Sequence, residues 1–135
     1  QPTASPTPAR TTEPTKAPPS NGSGDLVAIG RELYLNVPAN AAPQALWCYQ
    51  CHFIEGIPEA NALIGPEHTR IGSDAANRVT GMSAEDYLRE SIVDPELRIA
   101  DGVERATPGL MTKAIVEKLT DEQIDALVAF MLTLK

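Results

Sequence analysis

The five residues Cys48-Tyr49-Gln50-Cys51-His52 constrain this chain more than any other stretch. Two thiols on one turn of backbone, separated by two residues, reach the two vinyl groups along one edge of a porphyrin and bond to them as thioethers. The next residue, His52, then lies under the ring and can present a neutral imidazole nitrogen to the iron. Cys48 and Cys51 are the only 2 cysteines, and His52 is one of only 2 histidines. The pattern therefore predicts one haem c, covalent through Cys48 and Cys51, with His52 as an axial ligand.

Three other chemistries use similar residues. A dithiol redox site of the thioredoxin kind sits at a helix start after a strand in a βαβ setting, and no such pattern surrounds residue 48. A structural zinc site normally takes four ligands, and only Cys48, Cys51, His52 and the distant His68 are on offer. A plain disulfide would leave His52 unexplained.

The 135 residues suffice for one domain and hold only 1 Trp, 3 Tyr and 2 Phe. A domain with so few large rings gains from an embedded apolar macrocycle, which supplies buried surface that the side chains do not. Formal net charge is −7; Arg10, Lys16 and Glu13 give residues 1–24 a charge of +1, so the remainder carries −8. That excess argues against nucleic-acid binding, which wants a basic footprint. It suits docking on a basic partner face, where charge sets encounter rate and orientation. No run approaches 18 consecutive apolar residues, so no membrane span is expected. There is no signal peptide, and a start at Gln1 fits a processed product.

Residues 1–24, with six Pro among Ser, Thr and Ala, read as a linker or tether, and 25–135 as the folded domain. A first helix is predicted over 25–36, with Asp25 as cap and Leu26, Ile29, Gly30, Leu33 and Val37 on one face. Tyr34 shares the face of Gly30. Pro38 stops the helix. Trp47, beside the attachment residues, reads as core or haem-edge packing. The irregular segment after His52, through Gly56, Pro58, Gly65 and Pro66, suits a loop wrapped on a ligand. A second helix is predicted over 83–93, with Ser83 as N-cap and Met82 stapled on Tyr87. A third spans 120–134, with Thr120 and Gln123 as a capping box and Leu119 stapled on Ile124. Its body is apolar almost all round, as expected of a buried helix.

A haem iron held by His52 has a second axial position. A thioether there raises the potential and closes the site to small molecules. Met82 is already explained as a staple and Met131 by core packing. Met111, after the Pro/Gly loop Ala106-Thr107-Pro108-Gly109-Leu110, has no helix-face duty. It is the favoured ligand, with Met82, Met131 and His68 left open. His68, two residues past Pro66, reads as a surface histidine.

Over residues 25–135 the chain resembles class I c-type cytochromes, all-α proteins with three to four helices wrapped around one covalent haem. The resemblance rests on Gly30 and Tyr34, the Cys48-x-x-Cys51-His52 motif, and Gly65-Pro66 fourteen residues after the histidine. It continues through Tyr87, Ser91-Ile92 and Pro95, a methionine at 111, and Leu119-Thr120-Asp121-Glu122. It implies that the first and last helices cross at Gly30 against Phe130, and that the Pro66 carbonyl accepts the Nδ1 proton of His52. The family usually has Pro after the ligand methionine; here it is Thr112.

The function implied is one-electron transfer by a mono-haem carrier with axial ligands His52 and Met111, and no enzymatic activity. No general base, nucleophile or phosphate-cradling loop is evident, and Glu85, Asp86 and Glu90 read as a solvated face. Arg70 is the expected cation for a haem propionate. Haem attachment outside the cytoplasm implies an extracytoplasmic, membrane-associated carrier in a respiratory or photosynthetic chain. Its expected partners are redox proteins, including subunits of a membrane complex, and its N-terminal tail would be a lipid or complex tether. The long Pro-rich extension is similar to that of tethered cytochromes such as the mono-haem subunit of alternative complex III. The competing classes are a haem enzyme or gas binder with an open sixth position, and a chiefly structural subunit.

Overall fold

A computed structural model describes residues 22–43 and 46–135, so the tether expected over 1–24 falls almost wholly outside the described residues. Among them the fold is all-α, with five α-helices and two 3-10 turns. Three helices are long: α1 (Gly22–Leu35), α4 (Ala84–Val93) and α5 (Asp121–Leu132). Two are single turns, α2 (Cys48–Cys51) and α3 (Ile71–Asp74).

The frame is the crossing of α1 and α5. A Cβ on Gly30 would lie 1.8 Å from the Ala126 carbonyl oxygen and 2.8 Å from the Phe130 Cβ. Only a residue without a side chain lets the two backbones approach so closely. Phe130 sits at this crossing, and one turn along α1 its ring meets Tyr34 edge-on, with centroids 5.4 Å apart. Burying both rings at one crossing contributes most where aromatic area is scarce.

Helix ends follow local chemistry. Ser83 Oγ accepts from the Asp86 N–H at 3.1 Å, capping α4. Thr120 Oγ1 accepts from the Gln123 N–H at 3.2 Å, while Gln123 Oε1 accepts from the Thr120 N–H at 3.0 Å. That is the reciprocal capping box expected for α5. Asn40 extends it: its Nδ2 donates to Gln123 Oε1 at 2.7 Å and to the Lys118 carbonyl at 2.8 Å. The 38–43 loop is thereby pinned to the start of α5.

Helix α1 departs from expectation at its start. It begins at Gly22 and takes Asp25 into its first turn, where the carboxylate favours the positive helix end instead of capping it. The buried stripe is Gly30 and Tyr34 with partly buried Leu26, Val27 and Leu33. Ile29 lies off that stripe and Val37 beyond the helix, and both are about half exposed. Helix α5 buries Ile124, Ala126, Leu127, Val128, Phe130 and Met131, packing against α1, α3 and α4. An ion pair from Arg89 to Asp125 also joins α4 to α5.

Candidate haem centre

The attachment turn is fixed before any ligand is considered. Trp47 is 1% exposed, and its Nε1–H donates to the Leu33 carbonyl at 2.6 Å. That carbonyl belongs to the last turn of α1, which has no helical partner for it. Gln50 Oε1 accepts the Trp47 N–H at 2.7 Å, closing the turn on itself. Cys48 and Cys51 are unpaired thiols on the wall of one large cavity. Burial pushes the Cys48 thiol up to about 12, against the pull of its backbone hydrogen bond, and burial raises Cys51 as well.

His52 follows, 7% exposed and on the same cavity. Its Nδ1 lies 2.6 Å from the Pro66 carbonyl oxygen. A carbonyl only accepts, so Nδ1 carries the proton and Nε2 keeps a lone pair for a metal. Burial holds this imidazole below its ordinary pKa, while the Pro66 bond acts in the opposite direction. A Cβ on Gly65 would lie 2.7 Å from His52 Cε1, so glycine is needed there for the backbone to reach the ring. The loop that brings Gly65 and Pro66 home is held by Ile64 and Gly65 N–H bonds to the Cys51 carbonyl, at 3.0 and 2.8 Å. His68 N–H bonds the Phe53 carbonyl at 2.8 Å.

The expectation of a surface position for His68 is corrected. His68 lines the cavity with its ring stacked on that of His52, centroids 3.8 Å apart and planes 10° from parallel. Its Nδ1 is 2.8 Å from the buried Tyr34 hydroxyl. Burial, then the neighbouring His52 and Arg78, hold it well below its usual pKa. A ring stacked on that of His52 lies beside it, so the two imidazoles are not placed to hold one metal from opposite sides. Nothing in the residues around Pro66 announces this contact, which arises from the loop doubling back.

Met111 lines the cavity, as does Met131 from α5, while Met82 packs partly buried on the core instead. Arg70 stands at the N-cap of α3, exposed and outside the cavity lining. The arginines on the cavity are Arg78, Arg98 and Arg105, all overlooked in the sequence. Among the described residues the buried Nε of Arg78 has no hydrogen-bond partner, and the carboxylate of Asp74 is 3.7 Å from a terminal nitrogen. A buried guanidinium donor without a partner calls for an acceptor, best an anionic one.

These features fit haem c: two thiols and an imidazole with a free Nε2 on one cavity, apolar Leu88, Ile92 and Leu127 lining the same cavity, and a buried Arg78 Nε–H for a carboxylate. A zinc site fits less well. Among the described residues no group of three or more His, Cys, Asp or Glu side chains is placed to hold a metal ion.

The family model for cytochrome c matches residues 27–135. The chain belongs to the cytochrome c family. Membership implies covalent haem c, for which Cys48 and Cys51 are the attachment pair, and the role of an electron carrier. Comparisons with curated proteins and with solved structures returned no match. Among the described residues no helix is long and apolar enough to cross a membrane.

Proposed function

We propose that this cytochrome shuttles single electrons through a six-coordinate haem, with His52 and Met111 as axial ligands. The observation that carries the reading is the tautomer lock on His52 within a cavity that also presents Met111. Haem c supplies the reversible one-electron couple. The chain's own residues do the rest: Pro66 and Gly65 hold the imidazole, and Met111 would close the second position to exogenous ligands. The apolar lining would keep water from the iron, and Arg78 would meet a propionate carboxylate. Ligands that barely move keep the reorganisation on electron transfer small.

The carrier is placed outside the cytoplasm, as thioether attachment requires, and docks on basic faces of membrane-associated redox partners. Its acidic remainder favours such encounters. The Pro-rich residues 1–24 act as its tether to a membrane or complex. Mass spectrometry of the native N-terminus tests that part: a lipid or a complex-bound terminus supports it, and an unmodified terminus on a freely soluble carrier contradicts it.

Exposing the reduced protein to carbon monoxide tests the carrier itself. Absence of a bound species supports a closed site. Tight binding, or peroxidase turnover, favours the open-site alternative. For Arg78, replacement by Gln is expected to shift the midpoint potential while Arg70→Ala leaves it unchanged; the reverse result returns the propionate to Arg70.

A further inference from the structure

Of the 2 histidines, the iron ligand accounts for one, and the other lies flat against it. A hydrogen bond from Nδ1 to a carbonyl restrains an imidazole weakly against rotation, because the torsion about its Cβ–Cγ bond is broad. A flat group in contact across the ring face removes that freedom. His68 provides such a face at 3.8 Å. It is itself anchored: its Nδ1 is hydrogen-bonded to the Tyr34 hydroxyl, 2.8 Å away, which holds the ring in place. Tyr34 is 1% exposed, so this bond also answers the need of a buried phenol for a partner. Tyr34 is wedged in turn against Phe130 at the crossing of α1 and α5.

We propose that His68, pinned by Tyr34, is a positioning residue that fixes the plane of the His52 imidazole over the iron. The crossing of α1 and α5 thus extends through Phe130, Tyr34 and His68 to His52. The plane of an axial imidazole sets the splitting of the iron orbitals that overlap it, and with it the spin density at each haem methyl. The inference rests on His52 as an iron ligand and deepens the carrier reading.

The test is proton NMR of the ferric holoprotein, reading the four haem-methyl hyperfine shifts, with the midpoint potential measured alongside. His68→Ala is expected to rearrange the methyl shifts and move the potential. His68→Phe keeps a flat face and is expected to stay near the wild-type pattern. Tyr34→Phe frees His68 and is expected to give a smaller shift in the same direction as His68→Ala. Wild-type shifts and potential in His68→Ala would overturn the proposal. So would equal changes in the Ala and Phe variants of His68 with none in Tyr34→Phe, a pattern of mere packing. If His68→Ala takes up no haem, Tyr34→Phe decides: a shift supports the proposal and a wild-type pattern overturns it. Carbon monoxide binding by the reduced wild type would sink the carrier reading alone, since each variant's methyl shifts are compared with those of wild type in the same coordination.

Discussion

On the wall that carries His52, bonds join residues far apart in the chain. Trp47 reaches Leu33, Pro66 reaches His52, Tyr34 reaches His68, and the Gly72 N–H reaches the Leu134 carbonyl at 2.7 Å. The segment 95–112, which carries Met111, is built otherwise. Among the described residues its backbone bonds each span three residues, Leu97 to Asp94, Ala106 to Val103, Leu110 to Thr107 and Ile115 to Thr112, and its side-chain tie outward is the exposed Arg98–Glu90 ion pair. It relies on left-handed residues at Gly102, Arg105 and Gly109, and leaves Leu97 and Leu110 exposed. The proposed ligand His52 is therefore set by the tertiary frame, and the proposed ligand Met111 is presented by a chain of local turns. Strongly cross-linked regions open only with the whole fold, whereas locally closed loops open independently. The His52 side should open only with the whole fold, and the Met111 side on its own.

Substitutions grade that contrast. The largest loss is expected from Gly30→Ala, where the added Cβ meets backbone that cannot turn aside. We expect about 3 kcal/mol in denaturant unfolding of the holoprotein, at the upper end of overpacking costs. A neutral result would mean the α1–α5 crossing is softer than its geometry. Next comes Gly65→Ala, which presses on the His52 ring and should cost about 2 kcal/mol while also moving the midpoint potential. An unchanged potential would separate Gly65 from the ligand it backs. Smallest is Gly109→Ala on the other wall, where φ is +78° and nothing lies within 4 Å of an added Cβ. Only backbone strain is introduced, about 1 kcal/mol, with the His52 environment untouched. A loss equal to that of Gly30→Ala would erase the distinction between the two walls.

Much of this was legible in the sequence, for reasons tied to particular residues. Thr120 with Gln123 and Ser83 with Asp86 act within one helical turn, so local order alone identifies them. Cys48, Cys51 and His52 are contiguous, and their chemistry is written in their spacing. Gly30 opposite Phe130 was expected from the family likeness and is where the helices cross. What eluded the sequence depends on where the loop over 53–70 and the chain beyond it travel. His68 looked exposed because its loop is polar, yet the doubling back of that loop lays it on His52. Arg70 and Arg78 are indistinguishable by type, and only the fold turns Arg78 to the cavity. Helix α1 started early because Asp25 is equally suited to a cap and to a first turn.

In the proposed carrier a firmly held His52 would face an adjustable Met111 across one iron. The most direct measurement is the absorption spectrum of the ferric holoprotein, wild type beside Met111→Ala, at the weak near-infrared-edge band of a thioether-bound haem. The account predicts the band in wild type and its loss in Met111→Ala with the haem still covalently attached. A band that survives in Met111→Ala, or one absent from wild type, would contradict it.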